Sequence, residues 1–252
     1  ATKSSRLLAL ILSAILIVGI IFSYGRAAWI SIIVAFIVFI LILLRIKFYI
    51  IAATFMLFVG TFFIFQHQIL DKLSKNKQDS SANFVEHIQS ITNISSDASN
   101  LERINRWQAA IRLYNERPFL GWGPGTYQFV YSPFQSSQEK TIISTHLGDK
   151  GNAHSEYLGP LSEMGVLGSA LIILLIVYFI ITGLRVYKNG TNEIKFLCMI
   201  TLLGLITYFT HGFLNNFLDT DKLSVPVWGF IAIIVALDIY HKPKDNPSSI
   251  DG

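Results

Sequence analysis

Asn152-Ala153-His154-Ser155-Glu156-Tyr157-Leu158-Gly159-Pro160-Leu161-Ser162-Glu163-Met164-Gly165-Val166-Leu167-Gly168 is the stretch on which the organisation of the chain turns. It closes a long polar segment and runs directly into the uncharged apolar block Val166–Thr182. A block of that kind spans a membrane as a helix. His154 is therefore expected just outside a span, where water, lipid headgroups and protein groups meet. Gly159-Pro160 marks a backbone break, with Pro160 suited to the first helical position. Gly165, Gly168 and Ser169 are small enough to admit a neighbouring helix at close range. An imidazole at such a break is a candidate for chemistry. The plainer reading is an interfacial histidine that caps or solvates a helix end.

The rest of the chain fits a membrane protein. Of its 252 residues, 52% are hydrophobic and 14% charged, against about 25% charged in soluble domains. The net charge of +4 is dispersed and forms no basic stripe, so the pattern gives no sign of a nucleic-acid partner. Cys198 is the single cysteine and lies in an apolar run, which removes disulfide frameworks and cysteine metal clusters. Six apolar segments are read as spans: Leu7–Phe22, Ala27–Leu44, Phe48–Phe65, Val166–Thr182, Phe196–Thr210 and Val225–Tyr240. Basic residues Lys3 and Arg6, then Arg45 and Lys47, then Arg185, Lys188 and Lys195, then Lys242 and Lys244 fall on alternate connections. The positive-inside rule makes that side cytoplasmic. The Ser23–Arg26 turn, the loop Gln66–Ala153 and the connection His211–Ser224 then face outward. The expected fold is an all-α polytopic membrane protein of about six transmembrane helices. It forms a single membrane domain over 1–252, with a partly helical outer loop at 66–153 and a disordered tail at 241–252. A chain that starts at Ala1 rather than Met reads as a fragment of a larger protein.

The long loop exceeds what a connector needs. Asp71–Ser99 is rich in Lys, Ser, Asn and Asp and reads as irregular. From Leu101 to Tyr114, Leu101, Ile104, Trp107, Ile111 and Tyr114 recur at spacings of three and four, an amphipathic helix with Ser99 or Asn100 as its cap. Arg103 borders that stripe, whereas Arg106, Arg112 and Arg117 lie further around. Next comes Pro118-Phe119-Leu120-Gly121-Trp122-Gly123-Pro124-Gly125, a tight turn that lacks the ending of a phosphate-binding P-loop. Tyr127, Phe129, Tyr131 and Phe134 form an aromatic run suited to a membrane interface or to sugar stacking. Arg26, in Ser23-Tyr24-Gly25-Arg26, places a guanidinium at the outer membrane edge, either as a functional group or snorkelling to lipid phosphates. Glu156 is in a position to orient His154, although both it and Glu163 read more simply as solvated carboxylates. His211 with Asn215, Asn216 and Asp219 makes a polar cluster on the last outer connection.

Together these pieces resemble the C-terminal half of the O-antigen ligase and O-antigen polymerase superfamily, from Ser23 to Tyr240. Ser23–Trp29 is similar to the family's small-residue and arginine turn. Arg103-x-x-x-Trp107 followed by Glu116-Arg117-Pro118-Phe119-Leu120-Gly121-Trp122-Gly123-Pro124-Gly125 is similar to its periplasmic helix and glycine turn. His154-Ser155, nine residues, then Gly165-x-x-Gly168 is similar to the ligase pattern, and is the most specific of the three. Family members have further spans before this region.

The resemblance implies a glycosyltransferase of the bacterial inner membrane, with its active face periplasmic, and a role in lipopolysaccharide or other polysaccharide biosynthesis. Its partners would be a glycan on a polyprenyl (undecaprenyl) diphosphate, a lipid-anchored or glycan acceptor, and membrane lipids. Neither metal nor cofactor is implied, and one displacement by a hydroxyl inverts the anomeric centre. His154 would be the catalytic base and Arg26 and Arg103 the diphosphate ligands, supported by Arg106, Ser155, Glu156 and His211. A small-solute transporter and a structural membrane protein are the readings from other classes. A transporter needs polar groups near mid-membrane, which Ala27–Leu44, Phe48–Phe65 and Val166–Thr182 lack.

Overall fold

The computed structural model describes residues 3–46, 98–137, 140, 144 and 151–241. Among them the chain is all-helical, in the order α1 Lys3–Phe22, α2 Arg26–Leu43, α3 Ala98–Glu116, a single turn α4 Tyr127–Val130 with a 3-10 turn Ser132–Phe134, α5 Leu158–Asn189, α6 Asn192–His211 and α7 Asp221–Tyr240. Helices α1, α2, α5, α6 and α7 are long and apolar enough to cross a membrane. The protein is therefore a polytopic helical membrane protein. The expected span Phe48–Phe65, most of Asp71–Ser99 and the tail beyond residue 241 lie outside the described residues. The later spans run past the expected ends, α5 by eight residues at its start. Hydrophobicity marks only the part inside hydrocarbon, and polar residues such as Glu163, Arg185 and Lys188 continue the helix at either end.

Lipid tails are as apolar as leucine, so spans associate through close packing rather than through expulsion of water. Helix α6 is the centre of that packing and touches α2, α5 and α7. Helix α2 buries its small residues Ser31 and Ala35. Gly204 of α6 lies so near α7 that a Cβ there would stand 2.4 Å from a ring carbon of Phe230. Gly183 of α5 faces Leu202 and Ile234 in the same way, and its carbonyl accepts from Cys198 Sγ at 3.1 Å. Leu202, Leu205, Tyr208, Val227, Ile231 and Ile234 complete the core between α6 and α7. Helix α1 is exposed along its length, and Trp29 Nε1 ties its end to α2 by donating to Ile20 O at 2.9 Å.

Helix α3 begins at Ala98, so Ser99 and Asn100 lie inside its first turn rather than capping it. The buried ridge of α3 is not the expected apolar stripe. Leu101, Ile104, Trp107 and Tyr114 are half-buried and Ile111 is exposed, while Glu102, Asn105, Arg106, Ala109, Ala110 and Leu113 are buried. Ala110 and Leu113 pack against Tyr127, Tyr131 and Ala153 from the segments that follow. The aromatic run therefore works as core rather than as an interfacial or sugar-stacking surface. Tyr127 and Tyr131 are buried and stacked with ring centroids 5.0 Å apart, and only Phe129 is largely exposed.

The break in α5 falls at Gly165, not at Gly159-Pro160. Gly165 has φ 63° and ψ −167°, and the helix begins two residues before Pro160. The element that approaches this glycine is not a helix but the glycine turn. Val166 N–H, which in an unbroken helix donates to Ser162, donates to Pro118 O at 2.8 Å. Ser162 O in turn accepts from Trp122 N at 3.2 Å, and Glu163 O from Gly123 N at 2.7 Å. A Cβ on Gly165 would lie 2.3 Å from Phe119 O, and one on Gly121 would lie 2.3 Å from Glu163 C. Both glycines hold positive φ. Gly165→Ala is therefore expected to lose about 1–3 kcal/mol from its backbone conformation alone, with the clash added. A lower Tm of the purified protein in detergent, with Ala substitution at Gly229, which has open space and no positive φ, as the comparison, is the measurement.

Candidate functional site

The residues that follow α3 in space carry the site. His154 occupies the left-handed region, φ 48°, a conformation that non-glycine residues adopt rarely but that histidine tolerates better than most. Two hydrogen bonds hold it there. Its N–H donates to Asn152 Oδ1 at 3.1 Å, and its carbonyl accepts from Trp107 Nε1 at 3.4 Å. Neither bond uses the ring, so the imidazole is positioned by backbone contacts and remains available for chemistry. Ser155 Oγ accepts from Tyr157 N and Leu158 N, each at 3.3 Å, and so starts α5 directly after the histidine.

Arginines from α3 set the electrostatics. Arg106 is buried and pairs with Glu102, Nε to Oε1 at 2.7 Å. Its Nη1 reaches Asn152 O at 3.5 Å and its guanidinium lies 4.4 Å from the centre of the Tyr131 ring. Glu102 also accepts from Ser144 Oγ and Asn105 Nδ2. Arg106 is thus a structural cation that braces the segment leading to His154. Arg103 is half-buried, and its charge reaches both His154 and His211. Burial, then Arg103 and Arg106, hold the His154 imidazole down to a pKa of about 4, with Glu102 opposing. At neutral pH the ring is therefore uncharged and able to accept a proton.

Glu156 does not orient His154. Its Oε1 accepts from Tyr208 OH, Phe217 N (2.7 Å) and Leu218 N (2.9 Å), and its own N–H donates to Gly212 O at 2.8 Å. It locks the segment after His154 onto the α6–α7 connection. Glu163 is not a solvated carboxylate either, since its two oxygens accept from Gly125 N and Tyr127 N, each at 2.9 Å. His211 belongs to the last turn of α6 rather than to a loop; it stacks on Phe217 and contacts Asn215 Nδ2 at 3.4 Å. His154, Arg103 and His211 are therefore gathered at one end of the bundle. Arg26 stands at the start of α2. Sequence reading missed Glu102 and Asn152. The four-residue spacing of Glu102 and Arg106 was a usable signal for an ion pair, whereas the Asn152 contact needs the fold.

A family model described as O-antigen ligase matches residues 11–173. The match takes in Arg26, Arg103, the glycine turn and His154 through Gly168. No curated protein and no solved structure matches the chain.

Two outcomes follow from this geometry. Glu102→Ala leaves the Arg106 charge buried without its carboxylate, a change that typically costs about 3–5 kcal/mol, and Tm together with protease resistance of the loop reads it. The second concerns protons. The folded His154 pKa of about 4 lies below the 6.5 of an ordinary imidazole, so as pH falls through 6.5 the unfolded chain takes up the proton first. The stability that comes with the neutral buried ring is then lost progressively down to about pH 4. A nitrogen-detected NMR titration of labelled histidine should show one ring still neutral at pH 5, and a midpoint near 6.5 for every histidine would contradict the burial.

Proposed function

The chain belongs to the O-antigen ligase family, and on that premise we propose that it transfers a glycan from a polyprenyl diphosphate to a sugar hydroxyl at the periplasmic face of the inner membrane. The observation that carries this reading is the gathering of His154, Arg103 and His211 at one end of the bundle, with His154 uncharged beside a cation. The same observation argues against solute transport, which needs its polar groups near mid-membrane.

In the proposed reaction the acceptor hydroxyl attacks the anomeric carbon and the bond to the diphosphate oxygen breaks. The hydroxyl proton passes to a His154 ring nitrogen, and the diphosphate leaves with the bonding electron pair. Negative charge grows on the leaving oxygen, and Arg103 with Arg26 offsets it through forked guanidinium contacts. That is the work a metal does in other diphosphate chemistry, so the reaction runs without one. Attack from the face opposite the leaving group inverts the anomeric centre. Arg106, already paired with Glu102, braces the site without contacting the donor. The bound diphosphate also neutralises part of the Arg103 charge that depresses the histidine, which raises the basicity of His154 once the donor arrives.

The test compares His154→Ala and Arg103→Lys in the membrane-inserted full-length protein. Removal of a general base lowers rates by about 10²–10⁴, and His154→Ala should fall in that range while still binding lipid diphosphate. Arg103→Lys keeps the charge but not the fork, and should weaken donor binding and transfer together. Wild-type transfer by both variants sinks the assignment. Loss of donor binding in His154→Ala moves that residue into the diphosphate site instead.

A further inference from the structure

The glycine turn carries two large apolar side chains that the protein leaves uncovered. Phe119 is 69% and Leu120 75% exposed, although the backbone on either side of them is bonded to α5 through Pro118 O, Trp122 N and Gly123 N. Trp122 Nε1 donates to Leu113 O at 2.9 Å and fastens the other side of the turn to α3. The pair is therefore presented on a fixed support. Its level in the fold is set by contact between main chains. A Cβ on Gly165 would lie 2.3 Å from Phe119 O, so Phe119 stands beside the residue at which α5 bends. The charge-free apolar block of α5 begins one residue later, at Val166. Val166 and Leu167 are exposed as well, so the tip of the turn and the start of the span form one apolar surface.

We propose that Phe119 and Leu120 insert into the leaflet nearer α3, at the boundary between headgroups and acyl chains, and so fix the level of the turn and of the end of α3 bonded to it. Continuity selects lipid as the occupant. The exposed residues at the start of α5 face hydrocarbon, and the pair extends that surface sideways at the same depth. An exposed apolar patch in contact with a span gains by leaving water for acyl chains. The charges around the turn fit the same level. Both carboxylate oxygens of Glu163, two residues before the bend, are occupied by Gly125 N and Tyr127 N. Arg117 is exposed, and its guanidinium lies 4.0 Å from the centre of the Trp122 ring. A basic group beside an aromatic one suits the headgroup layer. Glu116, also exposed, belongs to the last turn of α3 and lies further along the chain from the tip. Gly121 already holds the turn open at φ 65°, so insertion asks no rearrangement of the backbone. This contact does not depend on the transfer reaction.

The experiment uses the full chain in nanodiscs of phosphatidylcholine and phosphatidylglycerol, with a nitroxide attached at Leu120→Cys or, separately, at Phe119→Cys. Cys198 is fully buried, and wild-type protein treated with the same reagent checks that it takes up no label. Leu167→Cys on α5 and Gln108→Cys on α3, both at exposed positions, serve as the lipid and water references. Spin relaxation by oxygen, which dissolves in acyl chains, is compared with relaxation by a water-soluble nickel chelate. Labels at 119 and 120 should follow the Leu167 reference, gaining oxygen collisions and losing most of the nickel collisions that the Gln108 label shows. A tip that stands in water gives the Gln108 pattern instead. A tip covered by protein, whether another segment or a second copy, is shielded from both reagents. Either of these results overturns the contact. Both side chains project from the fold, so each variant should keep the wild-type Tm in detergent, and the two positions are read independently.

Discussion

One helical hydrogen bond given up in α5 organises everything above it. Ser162 O and Val166 N would pair in a continuous helix; each instead bonds to the turn at 118–125. The exchange pairs both groups again near the membrane surface, where an unpaired amide is costly. It is possible only because Gly121 and Gly165 bring two main chains into contact with no Cβ between them. Two motifs whose bonded positions lie forty or more residues apart in sequence thereby become one structural unit. His154 enters that unit from above and the α5 span leaves it below.

The site built on this frame separates two guanidiniums that look alike in sequence. Glu102 takes up Arg106 in a buried pair that ranks as architecture. Arg103, three residues earlier and so about 60° away around α3, lies where its charge acts on the two imidazoles. A neutral histidine beside a cation suits a site that must attract an anion and still accept a proton. Two protonated rings beside two arginines would repel one another and hold no base.

The spans were legible because a charge-free apolar run has one stable outcome in lipid. Their ends were not, because Glu163 and Arg185 sit on helix that continues beyond the hydrocarbon. Periodicity located α3 but misjudged its buried face. Apolar spacing expects Leu101, Ile104 and Trp107 inward, whereas Glu102, Asn105 and Arg106 go inward because they find partners there. Reading single residues could not reveal that pairing. Likewise Glu156 and Glu163 look like surface carboxylates until the amides of Phe217, Leu218, Gly125 and Tyr127 are brought to them. His154 was singled out from its setting in a motif, and its left-handed backbone was not visible in sequence at all.

The Glu156 contacts also bear on how this chain can vary in length. The connection between α6 and α7 looks like an ordinary surface loop, the kind of segment in which insertions and deletions accumulate at little cost. Here Gly212 O and the amides of Phe217 and Leu218 all meet residue 156, so the chain between 212 and 217 is measured against a fixed point. An added or missing residue there would draw the last turn of α6, with His211, out of register with His154. A change of length is thus expected to be tolerated only in the part of the connection beyond residue 218, because the contacts of Glu156 fix the count of main-chain atoms between His211 and that point.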